Sequence, residues 1–499
     1  MRFIKKRMVF ILILGQLFLV PQPLKAGALE PEEDGPAAIA ALTLDEMSEL
    51  VLKNNLDIQI AGYNAYIERT RGKGAESVFD TMFNARAFYL DDQTKSASTL
   101  AGTKTSTNEY NLGLSKKLPT GTTLSVDAGD TRTFSNSALT SLSPSHEAIV
   151  KFSLHQPIGS NFFGLIDRGS IKITKLDIAN SDFEALGRIE KSLALAQINY
   201  WKLVLAHCQL KIGRQMLEKA ETFYASSKKK HELGLIEEAE LYAAQANLLK
   251  RKNSVETLMH QLLIVKNNLL LDLHEEDLNM QVIPLDVFSV KDVKISAQEH
   301  MNYAVRKNRE YLQAKNSLMA KGINLSMKNN GLWPEIDLEV SLADNGLELE
   351  QDKAWENVSA ENNPELFLGL TVSIPLENRA AKSQREKAQL EKTKALVELK
   401  KIEYKIMVEV INAVDAINNR KESIKLNRQI ARLQENKLAF EEKRFAWGRS
   451  ESDTLIRYQE DLLNAQLALA QSLFEHEKVS VELKSLENSL LEEYWQGQL

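Results

Sequence analysis

Residues 366–376 read Leu-Phe-Leu-Gly-Leu-Thr-Val-Ser-Ile-Pro-Leu. Leu366, Leu368, Leu370, Val372 and Ile374 alternate with Phe367, Gly369, Thr371 and Ser373, the period of a strand whose two faces meet different surroundings. Pro375 ends it where a missing N–H costs the ladder least, and the following 124 residues contain no proline. A strand therefore hands over directly to a very long helical tract.

The same junction occurs earlier. Val150, Phe152 and Leu154 alternate with Lys151, Ser153 and His155 up to Pro157, and residues 158–283 form a second proline-free tract, of 126 residues. Proline breaks helix interiors, so two gaps of nearly equal length predict two copies of one helical unit. Leu186, Ile189, Leu193, Ala196, Tyr200, Leu203, His207 and Leu210 recur at three-and-four spacing, as do Leu455, Tyr458, Leu462, Ala465, Leu469 and Ser472 onward. Both runs read as coiled-coil seams, which we expect to receive helices of neighbouring subunits.

Upstream of the tracts, Lys53-Asn54 matches Lys307-Asn308, Gln59 matches Gln313 and Phe79 matches Trp333, at an offset of 254. The expected plan is a first repeat over 44–273, with a helix at 44–76, strands over 79–158 and a helical hairpin at 164–273, and then a linker at 274–294. The second repeat, 295–499, has a helix at 296–328, strands over 333–376 and a hairpin at 379–494. In it Ile336, Leu338, Val340 and Leu342 alternate with Glu335, Asp337, Glu339 and Ser341; in the first, Phe79, Phe83, Ala85, Ala87 and Tyr89 share a face. The first repeat also carries an extra pair of alternating runs, 110–118 and 122–128, joined by Pro119-Thr120-Gly121, which predicts six strands in one chain.

Arg2, Lys5, Lys6 and Arg7 precede an apolar run over 8–20, and Ala26-Gly27-Ala28 offers a cleavage site, so 1–28 reads as a secretory signal peptide and 29–43 as an N-terminal extension. Cleavage would remove five basic residues, taking Lys plus Arg from 62 to 57 against 68 acidic residues, a mature charge of −11. No later apolar run reaches the roughly 20 residues of a spanning helix, so membrane insertion would have to use strands. The mild acidity of the 499-residue chain argues against nucleic acid as a partner. Gly plus Pro is 33 residues, under 7%, which leaves few turns and long elements.

Chemistry is scarce. His231-Glu232, His274-Glu275 and His146-Glu147 lack the second histidine of a zinc helix, Gly72-Lys73-Gly74 lacks the rest of a phosphate loop, and Cys208 is the single cysteine. No catalytic residue, metal or cofactor is expected, and no enzyme.

Several segments in duplicated register resemble the TolC-like outer-membrane efflux family over nearly the whole mature chain. They are Gly331-Leu332-Trp333-Pro334 entering a strand, Gln156-Pro157-Ile158 and Ile374-Pro375-Leu376 leaving one, and Asn378-Arg379 opening a helix. Gly234-Leu235-Ile236 and Arg444-Phe445-Ala446-Trp447-Gly448 stand midway along the two tracts. The resemblance implies a mainly α fold with β: a homotrimer whose transmembrane β-barrel continues into a periplasmic α-helical coiled-coil tunnel. It implies an outer-membrane duct of a tripartite efflux or type I secretion system, docked to a periplasmic adaptor protein and an inner-membrane pump or ABC transporter. It also implies four strands per subunit, from which the extra pair departs.

Within that resemblance, Pro157 and Pro375 are the strand-to-helix junctions, and Gly234 and Gly448 are the turns at the periplasmic tips. Lys230, Gly234, Leu235, Ile236, Arg444, Phe445, Gly448 and Arg449 are the expected adaptor contacts. The family's acidic gate is matched by Glu240 in the first copy; the second has Thr454 and Arg457 at the corresponding places, with Glu451 and Asp453 nearby. The competing reading is a structural periplasmic coiled coil that tethers the envelope and transports nothing, which leaves the alternating strands without a role.

Overall fold

The computed structural model describes residues 39–95, 102–275, 277, 279–290, 295–360 and 363–494; the expected signal peptide and cleavage point lie outside them. The first repeat runs β1 (Ile39–Leu42), α1 (Leu44–Asn54), α2 (Leu56–Glu76), β2 (Thr81–Asp92), β3 (Thr105–Lys117), β4 (Thr123–Ser135), β5 (Ser145–Pro157), α3 (Leu165–Glu232) and α4 (Glu238–Leu273). The rest runs β6 (Gln281–Pro284), α5 (Ala297–Lys307), α6 (Arg309–Asn330), β7 (Glu335–Glu348), α7 (Gln351–Ala360), β8 (Pro364–Ser373), α8 (Arg379–Ala446), α9 (Ser452–Glu487) and α10 (Leu490–Tyr494).

The duplication is strictest in the helices. α3 and α8 each have 68 residues, α4 and α9 each have 36, and every boundary of one hairpin lies 214 residues from its counterpart. At 1.5 Å per residue the longer pair spans about 100 Å, several times a hydrocarbon layer's thickness.

The opening helices expected over 44–76 and 296–328 are each broken in two, at Asn55 and Asn308, 253 residues apart rather than 254. Each asparagine ends one helix and caps the next. Asn55 Oδ1 accepts from the N–H groups of Asp57 and Ile58, and Asn308 Oδ1 from that of Tyr311. Their amide nitrogens donate to the carbonyls of Asp272 at 2.8 Å and Leu486 at 3.1 Å, which pins each opening helix to the end of its own repeat's hairpin.

Two short strands escaped the sequence reading. β1 and β6 pair in parallel, within stretches expected to be an extension and a linker. Tyr200, fully buried on α3, donates to the Leu42 carbonyl at 3.0 Å and to Asp286 Oδ2 at 2.7 Å, fastening both stretches to the helical bundle. Strand boundaries also move: Phe79 belongs to a short 3-10 turn before β2 rather than to the strand face.

The heptad seams close inside the chain. Leu193, Ala196, Tyr200 and Leu203 on α3 and Leu455 and Leu462 on α9 are buried in one core with α1 and α4, so they are not available to other subunits as expected. A heptad records that a helix has a partner and not whose it is. Different apolar stripes remain outside: Leu426, Leu433 and Phe440 on α8 and Trp447 just after it follow one another at sevens, each at least 60% exposed, and Leu56, Ile60, Tyr63 and Ile67 line α2.

Candidate functional site

All six long strands join in one antiparallel sheet of order β2-β3-β4-β5-β7-β8, so both runs of the extra pair are part of it. Register aligns side chains across the whole width. Phe83, Leu114, Val126, Phe152, Leu342 and Leu366 form one continuous row. The next row toward the helices continues it with Leu124, Leu154, Val340 and Leu368.

The opposite face carries Asn111, Asp127, Lys151, Ser153, Ser341 and Glu339, with Asp127 directly across from Lys151. Leu112, Leu114 and Leu366 stand 55%, 50% and 73% exposed, whereas Ser341 and Ala343 on the polar face are nearly closed off. The sheet therefore curls with its polar face inside and its apolar face out, which is the reverse of a water-soluble sandwich.

Aromatic side chains mark the ends of this band. Tyr89 and Tyr110 stand exposed toward the loop end, and Trp333, Phe162 and Phe163 toward the helices, the placement that amphipathic rings take at membrane interfaces. At the level of these tyrosines α7 packs on β5 and β7. There Asp130, 4% exposed, meets His146 Nδ1 at 3.2 Å and accepts from Gln351 Nε2 at 3.1 Å, a polar cluster that ends the apolar band. Helix α7 was not foreseen, because ten residues between two strands carry no periodic signal distinct from a loop.

The junctions follow the expected prolines. Pro157 is the last residue of β5, and Pro375 follows β8 by two positions. Beyond them Asn161 and Asn378 adopt left-handed conformations, φ 61° and 47°, that turn the chain into α3 and α8.

At the other end of the long helices both expected turns form. Gly234 and Gly448 have φ of 70° and 72°. In each, the residue after the glycine donates back to the carbonyl four positions before it: Leu235 to Lys230 at 2.8 Å, Arg449 to Arg444 at 2.9 Å. These are Schellman endings, which need a residue free to adopt positive φ.

The expected contact residues divide here. Gly234, Leu235, Gly448 and Arg449 are exposed, Ile236 is half-buried, and Leu233 and Trp447 add exposed apolar surface that the sequence reading did not assign. Phe445 is the correction: it is 5% exposed, edge-on to Phe223 at 5.2 Å, and so is taken up within the chain. Lys230 is engaged with it, its Nζ 3.8 Å from the Phe445 ring centroid, and partial burial lowers the ammonium's pKa from the ordinary lysine value. Arg444 braces its own turn through Glu441 at 3.2 Å and the Arg449 carbonyl at 3.1 Å.

Of the expected gate residues, Glu240 accepts from Ser452 Oγ at 2.6 Å, which ties the two hairpins together. One heptad higher Asn247 donates to Gln459 at 3.1 Å, and buried Arg251 meets Glu460 at 2.7 Å. This ladder between α4 and α9 had no local signature in the sequence. Glu451, Asp453 and Arg457 are exposed and Thr454 half-buried; the Arg457 guanidinium lies 5.6 Å from the Tyr458 ring centroid. Among the described residues no cluster of three metal-ligating side chains occurs.

No family model matches the sequence, and no curated protein matches it. Solved structures do. The outer-membrane channel OprN superposes with a TM-score of 0.68 at 14% identity, over 89% of this chain and 90% of that one. The CmeC outer membrane channel of Campylobacter jejuni gives 0.67 at 15%, over 94% and 93%. The MtrE outer membrane channel of Neisseria gonorrhoeae, in its open state, gives 0.64 at 14%, over 90% and 89%. The chain has the TolC-like fold of these channels.

Proposed function

We propose that this chain, built on the fold of outer-membrane channels, is itself an outer-membrane duct, exported by a cleaved signal peptide and assembled from three copies. Cargo would pass through it passively, received from a periplasmic adaptor and an inner-membrane pump and released outside. The observation that carries the reading is the two-faced sheet, apolar outside and polar inside, mounted on helices about 100 Å long. A soluble tether has no use for exposed apolar side chains such as Phe83, Leu114, Phe152, Leu342 and Leu366 in one row across the strands, since water would have to cover them.

The remaining parts fit the same reading. The exposed stripes on α8 and α2 are spaced to receive helices of neighbouring copies. The tips would meet the adaptor through Leu233, Gly234, Leu235, Trp447, Gly448 and Arg449, while Glu240, Glu451, Asp453, Thr454 and Arg457 would line the constriction. Membrane fractionation followed by planar-bilayer recording tests the proposal. Detergent-stable oligomers in the outer membrane that form ion-conducting pores are expected; a soluble periplasmic protein, or one that never conducts, would sink it.

A further inference from the structure

We propose that the β3–β4 hairpin belongs to the membrane wall itself, so that three copies close a barrel of eighteen strands in which β2 of one copy pairs with β8 of the next. This rests on the channel reading above and specifies how wide the channel is and where the copies join.

The six strands do not close on themselves, since the order runs from β2 to β8 with no pairing between those two, and membrane-spanning barrels start at about eight strands. The sheet leaves two bare edges, β2 with 12 residues and β8 with 10. Their outward N–H and C=O groups would find no water to bond in hydrocarbon, so a spanning sheet must pair them. β2 runs away from the helices and β8 runs back toward them, so β2 of one copy and β8 of the next are antiparallel. Both end the same apolar row, at Phe83 and Leu366. The contact is head-to-tail, which closes into a ring when the rotation permits.

The hairpin could instead stand outside the membrane, with β2 paired directly to β5 and twelve strands in all. Three observations oppose this. First, β3 and β4 have 13 residues each, as β5 has, and lie between β2 and β5 in unbroken register. Second, they carry the apolar rows across the sheet, with Leu112 and Leu114 about half exposed and Leu124 and Val126 near 40%, surface that water would oppose.

Third, their turn sits at the helix end. The Gly121 N–H donates to the Leu118 carbonyl at 2.8 Å, and Gly121, at φ 79°, lies so close to Gly164 that a Cβ there would be 3.0 Å from the Gly164 nitrogen. Lys117 Nζ meets Asp167 at 2.7 Å. Gly164 and Asp167 flank the start of α3, so the turn faces the tunnel and not the exterior. Barrel diameter grows about linearly with strand number, which makes the bore roughly 1.5 times as wide and 2.2 times as large in section as twelve strands would give.

The test uses the full chain in cells, in a Cys208→Ser background, with single cysteines at Thr120, Leu112, Val126 and Phe152 and a membrane-impermeant maleimide. Thr120→Cys should label only after the outer membrane is opened, and Leu112→Cys and Val126→Cys only after denaturation. Phe152 lies in the membrane under either strand count. If Thr120, Leu112 and Val126 label on intact cells while Phe152 stays protected, the hairpin is external and eighteen strands are refuted. If Phe152→Cys labels as well, the membrane reading falls and the barrel with it. For the joint, Ala85→Cys is combined in turn with cysteines at Leu366, Leu368, Leu370 and Val372. Oxidation should give covalent trimers from at least one pair; monomers from all four would overturn the β2–β8 contact.

Discussion

Lys230, two residues from the end of α3, reaches across to Phe445, one residue from the end of α8. Its ammonium donates to the Phe445 carbonyl and lies 3.8 Å from that ring's centroid. The two tips of one chain are therefore joined by a charge held against an aromatic face and a helix-end carbonyl, which is also where the helix dipole favours a cation. We expect Lys230→Met to keep the packing and lose this tie, about 1–3 kcal/mol locally. Amide exchange over 440–450 should quicken by roughly five- to 150-fold. Unchanged exchange would mean that the Phe223–Phe445 contact alone holds the tips.

The ladder between α4 and α9 gives a second expectation. Removing Glu240 or Ser452 should open the hairpins relative to one another, and a double-mutant cycle with Glu240→Gln and Ser452→Ala should show a coupling of about 0.5–3 kcal/mol, since the two side chains are in direct contact at 2.6 Å. Strictly additive effects on thermal melting would place the restraint elsewhere.

Arg457 is exposed and stands where the resemblance implies a carboxylate. Three guanidinium groups brought around one constriction would repel cations and could pair with Glu451 or Asp453 of a neighbouring copy, each pair worth about 0–1 kcal/mol when exposed. Arg457→Ala should raise single-channel conductance and shift selectivity toward cations. Recordings indistinguishable from wild type would show that the side chain points away from the pore.

Glu190 and Arg309 join the two repeats at the level of α10. Glu190 is fully buried, pairs with Arg309, and accepts from the Leu490 N–H at 2.9 Å. Burial pushes its carboxyl above the ordinary value of 4.5 despite the guanidinium and the backbone donor. The folded chain thus holds this proton more tightly than the unfolded one. The associated stability is fully present below pH 4.5 and is lost as pH rises through the folded value. The melting temperature of Glu190→Gln, relative to wild type, should therefore climb as pH is raised from about 4. Arg309→Met, which strands a buried carboxylate, should destabilise by about 3–5 kcal/mol near neutral pH. A pH-independent difference between Glu190→Gln and wild type would contradict the assignment.

The large plan of the fold was legible because it is written in local chemistry. Pro157 and Pro375 mark where strands end, the proline-free tracts mark the helices, and Gly234 and Gly448 mark where those helices reverse. What could not be read locally was partnership. The α3 and α9 heptads proclaim a coiled coil, yet Leu203 and Leu462 are buried within their own chain, while the stripe at Leu426, Leu433, Phe440 and Trp447 faces outward. Phe445 looked like a contact residue because it stands in the tip motif, and only its meeting with Phe223 removes it from the surface. Polar rungs such as Asn247 to Gln459 lie 212 residues apart and leave no periodic trace.

The two tip glycines allow a test that separates docking from folding. A Cβ at Gly234 or Gly448 would meet nothing within 4 Å, so the effect of adding one is the strain of a positive φ, 70° and 72°. A valine there disfavours the left-handed turn by about 1–2 kcal/mol. That is too little to unfold a helical bundle anchored by the core around Leu193, Tyr200 and Leu462, but enough to change the path of an exposed five-residue turn. We expect Gly234→Val and Gly448→Val to assemble normally in the outer membrane and to lose crosslinking to the periplasmic adaptor along with export. Full crosslinking and export in both variants, with the tips shown by exchange to be altered, would mean that the adaptor grips the hairpins elsewhere.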